Sequence, residues 1–241
     1  MKKEKSKWPY AWLTDVPQYP AAAARGSVSG RLLVKDAEKP DLTAANAWIG
    51  FAQPEAGGHW QSESKHYQYW TRADAGGGCV IPNVRPGSYT LYAFTTGAVG
   101  EFTKQAVQVS AGRTTQAGDL VWNVPHKGRI AWEIGVPDSS EQEFAHGDEY
   151  FHGYVWEKFA KALPNPLEFT IGKSDPAKDW NYAHCGYGEG KLVPWKWRIH
   201  FKLDSAPRGD ATLVLAIASA DWGRVDVFAN DESKPVATVT P

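Results

Sequence analysis

Between Tyr67 and Phe94 apolar and polar side chains alternate in three short runs, and the breaks fall on Gly76-Gly77-Gly78 and on Pro86-Gly87. A period of two, broken at glycine and proline, is the pattern of strands joined by tight turns, so this stretch predicts strand, turn, strand, turn, strand. The same grammar recurs on either side, at Gly26–Val34, Ala47–Ala52, Ala106–Val109 and Leu120–Trp122. Short strands at such regular spacing argue an antiparallel β-sandwich rather than strand–helix–strand units. The pattern starts at Arg25 and ends near Val124-Pro125; residues 1–24, with Pro9, Pro17 and Pro20 and no periodicity, read as a lead-in segment.

A second β series follows from residue 125. Arg129–Gly135, Leu167–Gly172 and Val225–Asn230 predict strands, and Trp195–Leu203 alternates without a break over nine residues. Its apolar side, Trp195, Trp197, Ile199, Phe201 and Leu203, is expected in a core, which turns Lys196, Arg198, His200 and Lys202 together to the other side. Thr212–Ala220 is a continuous apolar run, expected as a strand buried on both faces. One short helix is predicted over Gly153–Leu163, where Trp156, Phe159, Ala160 and Leu163 recur at three to four residues before Pro164. The fold class is therefore all-β, two antiparallel sandwiches spanning 25–124 and 125–241.

Net charge is −1 with 26 basic and 27 acidic residues, so no global field recruits nucleic acid or an anionic membrane, and a charged partner must be met by a local patch. Residues 1–7 are charged and lack the apolar segment of a secretory signal, and no run approaches the roughly 18 apolar residues of a membrane span. Cys79 and Cys185 lie far apart, outside any metal-ligand or disulfide spacing, and read as two free thiols. The 12 Trp and 10 Tyr are unusual beside a single Met. Aromatic rings give large contact area at low entropy cost, which suits both sandwich cores and sugar-stacking platforms.

Phosphate loops, dinucleotide-binding glycine fingerprints, nucleophile elbows and zinc pairs at helical spacing are absent from the sequence. His146, Asp148 and His152 supply donors for a metal or an acid/base pair, yet without ligand spacing they read as a polar loop. Asp175 and Asp179 flank Lys178 and read as turn-ordering carboxylates rather than a cation site. The row Lys196, Arg198, His200 and Lys202 is the stronger candidate. Cations along one strand, with Lys178, Trp180 and Tyr182 nearby for charge and stacking, suit an acidic polysaccharide better than a duplex, although an ordinary solvated face has the same pattern. A histidine in the row would add charge on acidification.

The generic turn grammar of residues 78–91 is shared by transthyretin-like and fibronectin type III-like sandwiches. More specific are Trp8-Pro9-Tyr10, Arg25-Gly26-Ser27-Val28, Tyr67-Gln68-Tyr69-Trp70, Asn83 to Ala93, Trp132-Glu133-Ile134-Gly135 with Pro137-Asp138, Glu143-Phe144, Ile171-Gly172 with Ser174-Asp175 and Asp179-Trp180, and Trp197, Ile199 and Phe201. In order and spacing these resemble the rhamnogalacturonan lyases of polysaccharide lyase family 4. The resemblance implies a fibronectin type III-like domain at 25–124, then a carbohydrate-binding-module-like jelly roll from 125 that is incomplete at Pro241. It also implies a secreted protein acting on pectic polysaccharide, rhamnogalacturonan I, with no cofactor and no metal. The Lys and His used for β-elimination belong, in that family, to a catalytic domain without a counterpart here, so no catalytic residue is expected in this chain and the catalytic lyase domain is expected as a partner. The chain departs from the family at Ser139, where Arg is usual after Pro137-Asp138, and at Cys79, where an aromatic is usual. In this light the aromatics of Tyr67–Phe94 are expected mainly in the core and at a domain interface.

Overall fold

The computed structural model describes residues 9–13, 16, 18–63, 67–149, 162, 164–183, 187–188, 191–192, 194–205, 208–217 and 223–240. It divides into two compact units, 1–206 and 207–241.

Seven strands build a sandwich: β1 (Gly26–Lys35), β2 (Trp48–Ala52), β3 (Tyr69–Arg72), β4 (Gly78–Val84), β5 (Gly87–Phe94), β6 (Phe102–Val109) and β7 (Thr114–Asn123). They form a three-stranded sheet in the order β4-β1-β7 and a four-stranded sheet in the order β3-β2-β5-β6. Alternation supplies the inner faces. Leu32, Leu120, Ile81 and Val84 from one sheet meet Ile49, Phe51, Tyr89 and Leu91 from the other, and all are buried. Each such aliphatic or aromatic side chain removed from water contributes about 1.5–3 kcal/mol, and this core carries the stability of the sandwich. The Tyr89 hydroxyl keeps its partner by donating to the Arg85 carbonyl at 2.8 Å, so this fully buried ring costs no lost hydrogen bond.

The turn between β3 and β4 shows why three glycines stand there. Gly77 has φ 84°, and a Cβ on it would lie 2.2 Å from the Leu32 carbonyl oxygen. Asp74 closes the same turn, its Oδ1 accepting from the N–H groups of Gly76 and Gly78, both at 2.8 Å.

The strand expectations for 25–124 hold element by element, but one ladder differs in direction. β7 runs parallel to β1 from Ser27↔Thr114 to Lys35↔Asn123, with Ala117 bulged out and Gly118 at φ 70°. β6 and β7 lie in different sheets, so the chain crosses the sandwich between them and adds β7 to the edge of β1. Local periodicity carries no signal for that choice.

Beyond the sandwich the chain stays β, as expected, with one ladder that is parallel rather than antiparallel. β8 (Leu167–Thr170) and β11 (Trp197–His200) pair in parallel, while β9 (Tyr187–Gly188) pairs antiparallel with β10 (Lys191–Leu192). In the unit 207–241, β12 (Val225–Val227) pairs antiparallel with β13 (Ala237–Val239). Arg129–Gly135 alternates in burial as a strand would, yet among the described residues no ladder pairs with it. Its polar backbone is met by side chains instead, the Ile130 N–H donating to Glu38 Oε2 at 3.1 Å. The long strand expected over Trp195–Leu203 shortens to four residues. Trp197 and Ile199 are half-buried, whereas Phe201 and Leu203 are 47% and 45% exposed. The apolar run from Thr212 is not a strand up to Ile217 and is exposed there, because among the described residues no ladder pairs with it. The predicted helix over Gly153–Leu163 lies outside the described residues apart from Ala162, as does Cys185. Cys79 is a free, buried thiol, and burial pushes its pKa up, which makes it a poor nucleophile.

The sandwich is tied to the segment that follows it. His126 Nε2 lies 2.7 Å from Asp36 Oδ1, Lys39 Nζ lies 2.8 Å from Glu133 Oε1, and the Gly97 N–H donates to the Pro137 carbonyl at 2.7 Å.

Candidate functional site

The cationic row sits on β11, and its parallel neighbour decides its character. Register pairs Arg198 with Glu168 and Ile199 with Phe169, so Leu167, Phe169, Trp197 and Ile199 share the inner face while Glu168, Arg198 and His200 share the outer one. Glu168 stands between Arg198 and His200, accepting from Arg198 Nη1 at 3.1 Å and facing His200 Nε2 at 2.5 Å. The hydrogen bond from His200, helped by Arg198, holds the Glu168 carboxyl below its ordinary range. The row is thus interrupted by one carboxylate. Lys196 and Lys202 flank it in exposed positions, and the Lys196 N–H donates to Asn165 Oδ1 at 3.1 Å.

Lys178 lies on the single turn α1 (Pro176–Asp179), where Asp175 caps the start by accepting from the Ala177 N–H at 3.0 Å. Lys178 is 79% exposed and 3.0 Å from Asp175 Oδ2, a contact that raises the lysine and lowers the carboxylate. The Asp175 N–H donates to Asp179 Oδ2 at 2.8 Å, which is the turn-ordering role read from the sequence. Trp180 does not stand beside the cations. Its ring meets Phe169 edge-on at 5.5 Å and Phe144 at 6.4 Å, so it lies on the inner side of the β8–β11 ladder, opposite Arg198 and His200. The buried Asn181 next to it pins the loop, its carbonyl accepting from Trp197 Nε1 at 3.2 Å and its Nδ2 donating to the Ala183 carbonyl at 2.7 Å. Tyr182 follows, half-buried. Outer cations and inner aromatics are therefore separate surfaces of one small ladder.

His146 Nδ1 is 2.8 Å from Glu149 Oε1, Asp148 is exposed and His152 lies outside the described residues. Among the described residues no three His, Cys, Asp or Glu side chains converge as a metal site would require.

The sequence reading missed a second aromatic surface, on the outer face of the four-stranded sheet. Trp48, Trp70, Tyr92 and Phe94 point outward there around Gly50, and a Cβ on Gly50 would lie 2.2 Å from the Trp70 ring. A 3-10 turn (Trp60–Ser62) covers part of this face. Trp60 stacks near-parallel on Phe94 at 6.0 Å and edge-on to Trp70 at 4.9 Å. Glu101 holds the turn down, accepting from Trp60 Nε1 at 3.0 Å and facing His59 Nε2 at 2.6 Å. Arg72 lies 3.6 Å above the half-exposed Trp48 ring. A glycine inside a strand between Ile49 and Phe51 was the available signal, since glycine there marks close approach of another group.

Residues 44–117 match "Polysaccharide lyase family 4, domain II" and residues 130–241 match "Polysaccharide lyase family 4, domain III". The chain belongs to polysaccharide lyase family 4 and carries these two of its domains. It is 32% identical over 219 residues to the rhamnogalacturonate lyase of Dickeya dadantii, an alignment covering 90% of this chain and 33% of that protein. It is 31% identical over 240 residues to a protein named probable rhamnogalacturonate lyase B in Aspergillus flavus, covering 87% and 34%. With rhamnogalacturonate lyase B of Emericella nidulans it shares 29% identity over 253 residues, covering 92% and 36%. The chain spans about a third of the length of these relatives. Among the described residues no helix is long and apolar enough to cross a membrane.

Proposed function

We propose that this chain is the accessory, non-catalytic part of a rhamnogalacturonan lyase, and that it holds or positions a pectic polysaccharide, rhamnogalacturonan I, for β-elimination by a catalytic domain carried outside the sequence described. The observation that carries this reading is the match to domains II and III of one polysaccharide lyase family, joined to exposed cations on β11. Lys196, Arg198, His200 and Lys202, with Lys178 at α1, would meet uronate carboxylates. Trp180 and Tyr182 would act from behind, by fixing the ladder that presents those cations, since Trp180 packs on Phe169. Binding of this kind is weak per contact and falls with salt. We place the protein outside the cell, where its polymer would be. Affinity electrophoresis in gels containing rhamnogalacturonan, with neutral galactan as control, tests the proposal. Retardation by rhamnogalacturonan that disappears at high salt is expected; migration unchanged in both gels sinks it.

A second reading makes both domains structural spacers that dock on the catalytic domain. The three ties between the sandwich and residues 126–137, at Asp36, Lys39 and Gly97, favour it by stiffening the junction. Trp12 at 75% exposure gives it a contact surface. Mixing the chain with a separately produced catalytic domain decides between them: raised stability or activity without any polysaccharide retardation supports the spacer.

A further inference from the structure

The open side of the sandwich, where β3 passes the β4–β5 turn, holds a groove of about 540 Å³. Its walls include Tyr19, Tyr67, Tyr69 and Trp70 together with Arg25 and Arg85, and among the described residues no acidic side chain lines it. Both arginines lie over tyrosine rings, Arg25 at 4.9 Å from Tyr19 and Arg85 at 4.6 Å from Tyr67. They differ in what else they do. Arg25 is buried and structural, its Nε donating to the Pro20 carbonyl at 2.8 Å and its Nη1 to the Asn83 carbonyl at 3.2 Å. The Arg85 guanidinium makes no hydrogen bond or ion pair among the described residues, and its Nη1 is shielded from water.

The backbone of Arg85 is nevertheless fixed, its N–H donating to Tyr69 Oη at 3.3 Å and its carbonyl accepting from Tyr89 Oη at 2.8 Å. The aromatic wall is fixed as well. Trp70 Nε1 donates to Gln68 Oε1 at 3.0 Å, Gln68 Nε2 donates to the Trp60 carbonyl at 2.6 Å, and the Trp70 ring lies on Gly50. A preorganised wall of rings binds without ordering cost, and an uncompensated guanidinium that has lost part of its hydration calls for a planar anion, which carboxylate supplies in two-pronged form.

We propose that this groove is a second binding site, for a uronate-bearing oligosaccharide, in which Arg85 takes a sugar carboxylate while Tyr67 and Trp70 contact the sugar rings. The ligand class rests on the reading of the chain as a pectin-handling protein; the groove itself rests on Arg85. Its binding would be independent of the β11 cations.

The test uses the full chain, tetragalacturonate as the acidic probe, maltotetraose as the neutral one and a short polyglutamate peptide as an acidic non-sugar, followed by titration calorimetry. Binding of tetragalacturonate alone is expected, reduced about tenfold or more by Arg85→Gln, partly restored by Arg85→Lys, and changed little by Lys127→Gln, an exposed lysine outside both proposed sites. On the unmutated chain, tetragalacturonate should protect Arg85 from phenylglyoxal, as read by peptide mass mapping, which keeps the test valid if the Gln variant misfolds. Tetragalacturonate binding that Arg85→Gln leaves intact and Lys202→Gln abolishes overturns the groove and leaves the proposed function standing. Absence of binding to tetragalacturonate and to rhamnogalacturonan overturns both, and polyglutamate binding with the same dependence on Arg85 overturns the sugar assignment.

Discussion

The Asp36 carboxylate and the His126 ring meet at 2.7 Å across the point where the last strand of the sandwich gives way to the next segment. Asp36 Oδ1 also accepts from the N–H groups of Glu38 at 2.8 Å and Lys39 at 2.9 Å, whereas Oδ2 is buried without a partner among the described residues. One oxygen thus gathers the loop, the strand end and the following segment.

Acid stability should depend on that carboxyl. Burial pushes its pKa up, but the two N–H groups and His126 outweigh burial and hold it below the ordinary value of 3.8. A carboxyl lowered in the folded state stabilises the fold at pH values above its unfolded pKa, and that contribution is lost as pH falls through the lower, folded value. Asp36→Asn should therefore lower stability by about 1–3 kcal/mol near neutrality and flatten the acid limb of a Tm–pH profile below about pH 4. Variant and parent profiles that stay parallel down to pH 2 would contradict the role.

Gly50→Ala should destabilise the sandwich by about 1–3 kcal/mol, because the added methyl meets the Trp70 ring at 2.2 Å and the ring must move. The same displacement breaks the edge-on contacts of Trp70 with Trp60 and Phe94. Near-ultraviolet circular dichroism should change together with the urea midpoint; an altered midpoint with an unchanged aromatic spectrum is the outcome that speaks against the packing described.

Removing the carboxylate between the cations has an opposite sign. Glu168→Gln leaves the shape of the β8–β11 ladder while removing a negative charge from beside Arg198 and His200, and exposed ion pairs of this kind add little to stability. The melting temperature should move little, and retardation by rhamnogalacturonan should strengthen and become more salt-sensitive. Unchanged retardation would place the polysaccharide elsewhere on the chain.

Trp180→Leu separates packing from stacking. Its ring is engaged with Phe169 and Phe144, so the expected result is local loosening, seen as faster amide exchange at Ala145, with polysaccharide affinity lowered less than by loss of Arg198. Affinity loss greater than for Arg198→Gln, with exchange unaffected, would show the ring facing the sugar instead.

The strands of the first sandwich were legible because a two-residue period and glycine turns are local properties, visible in Tyr67–Phe94 without knowing any partner. Pairing is not local. The sequence does not say that β7 joins β1 in parallel, nor that Glu168, thirty residues from Arg198, enters the cationic row. For the same reason Trp180 looked close to Lys196 and Arg198 in the chain but belongs to the other face of the ladder. Trp195–Leu203 alternates as a buried strand does, yet alternation specifies only that one side is apolar; how far it is covered depends on layers contributed from distant residues. His59 and Trp60 carry no periodicity at all, and their function in covering Trp70 and Phe94 comes from a short turn held by Glu101.

The parallel pairing of β1 and β7 has a mechanical consequence. Gly26 opens the sandwich at one end of the ladder and Asn123 leaves it at the other, about 30 Å away at the usual rise per residue. Tension applied between the segments before β1 and after β7 pulls the two strands past each other along their length. Nine register pairs then bear the load together instead of opening one after another, so the domain resists stretching between its two ends.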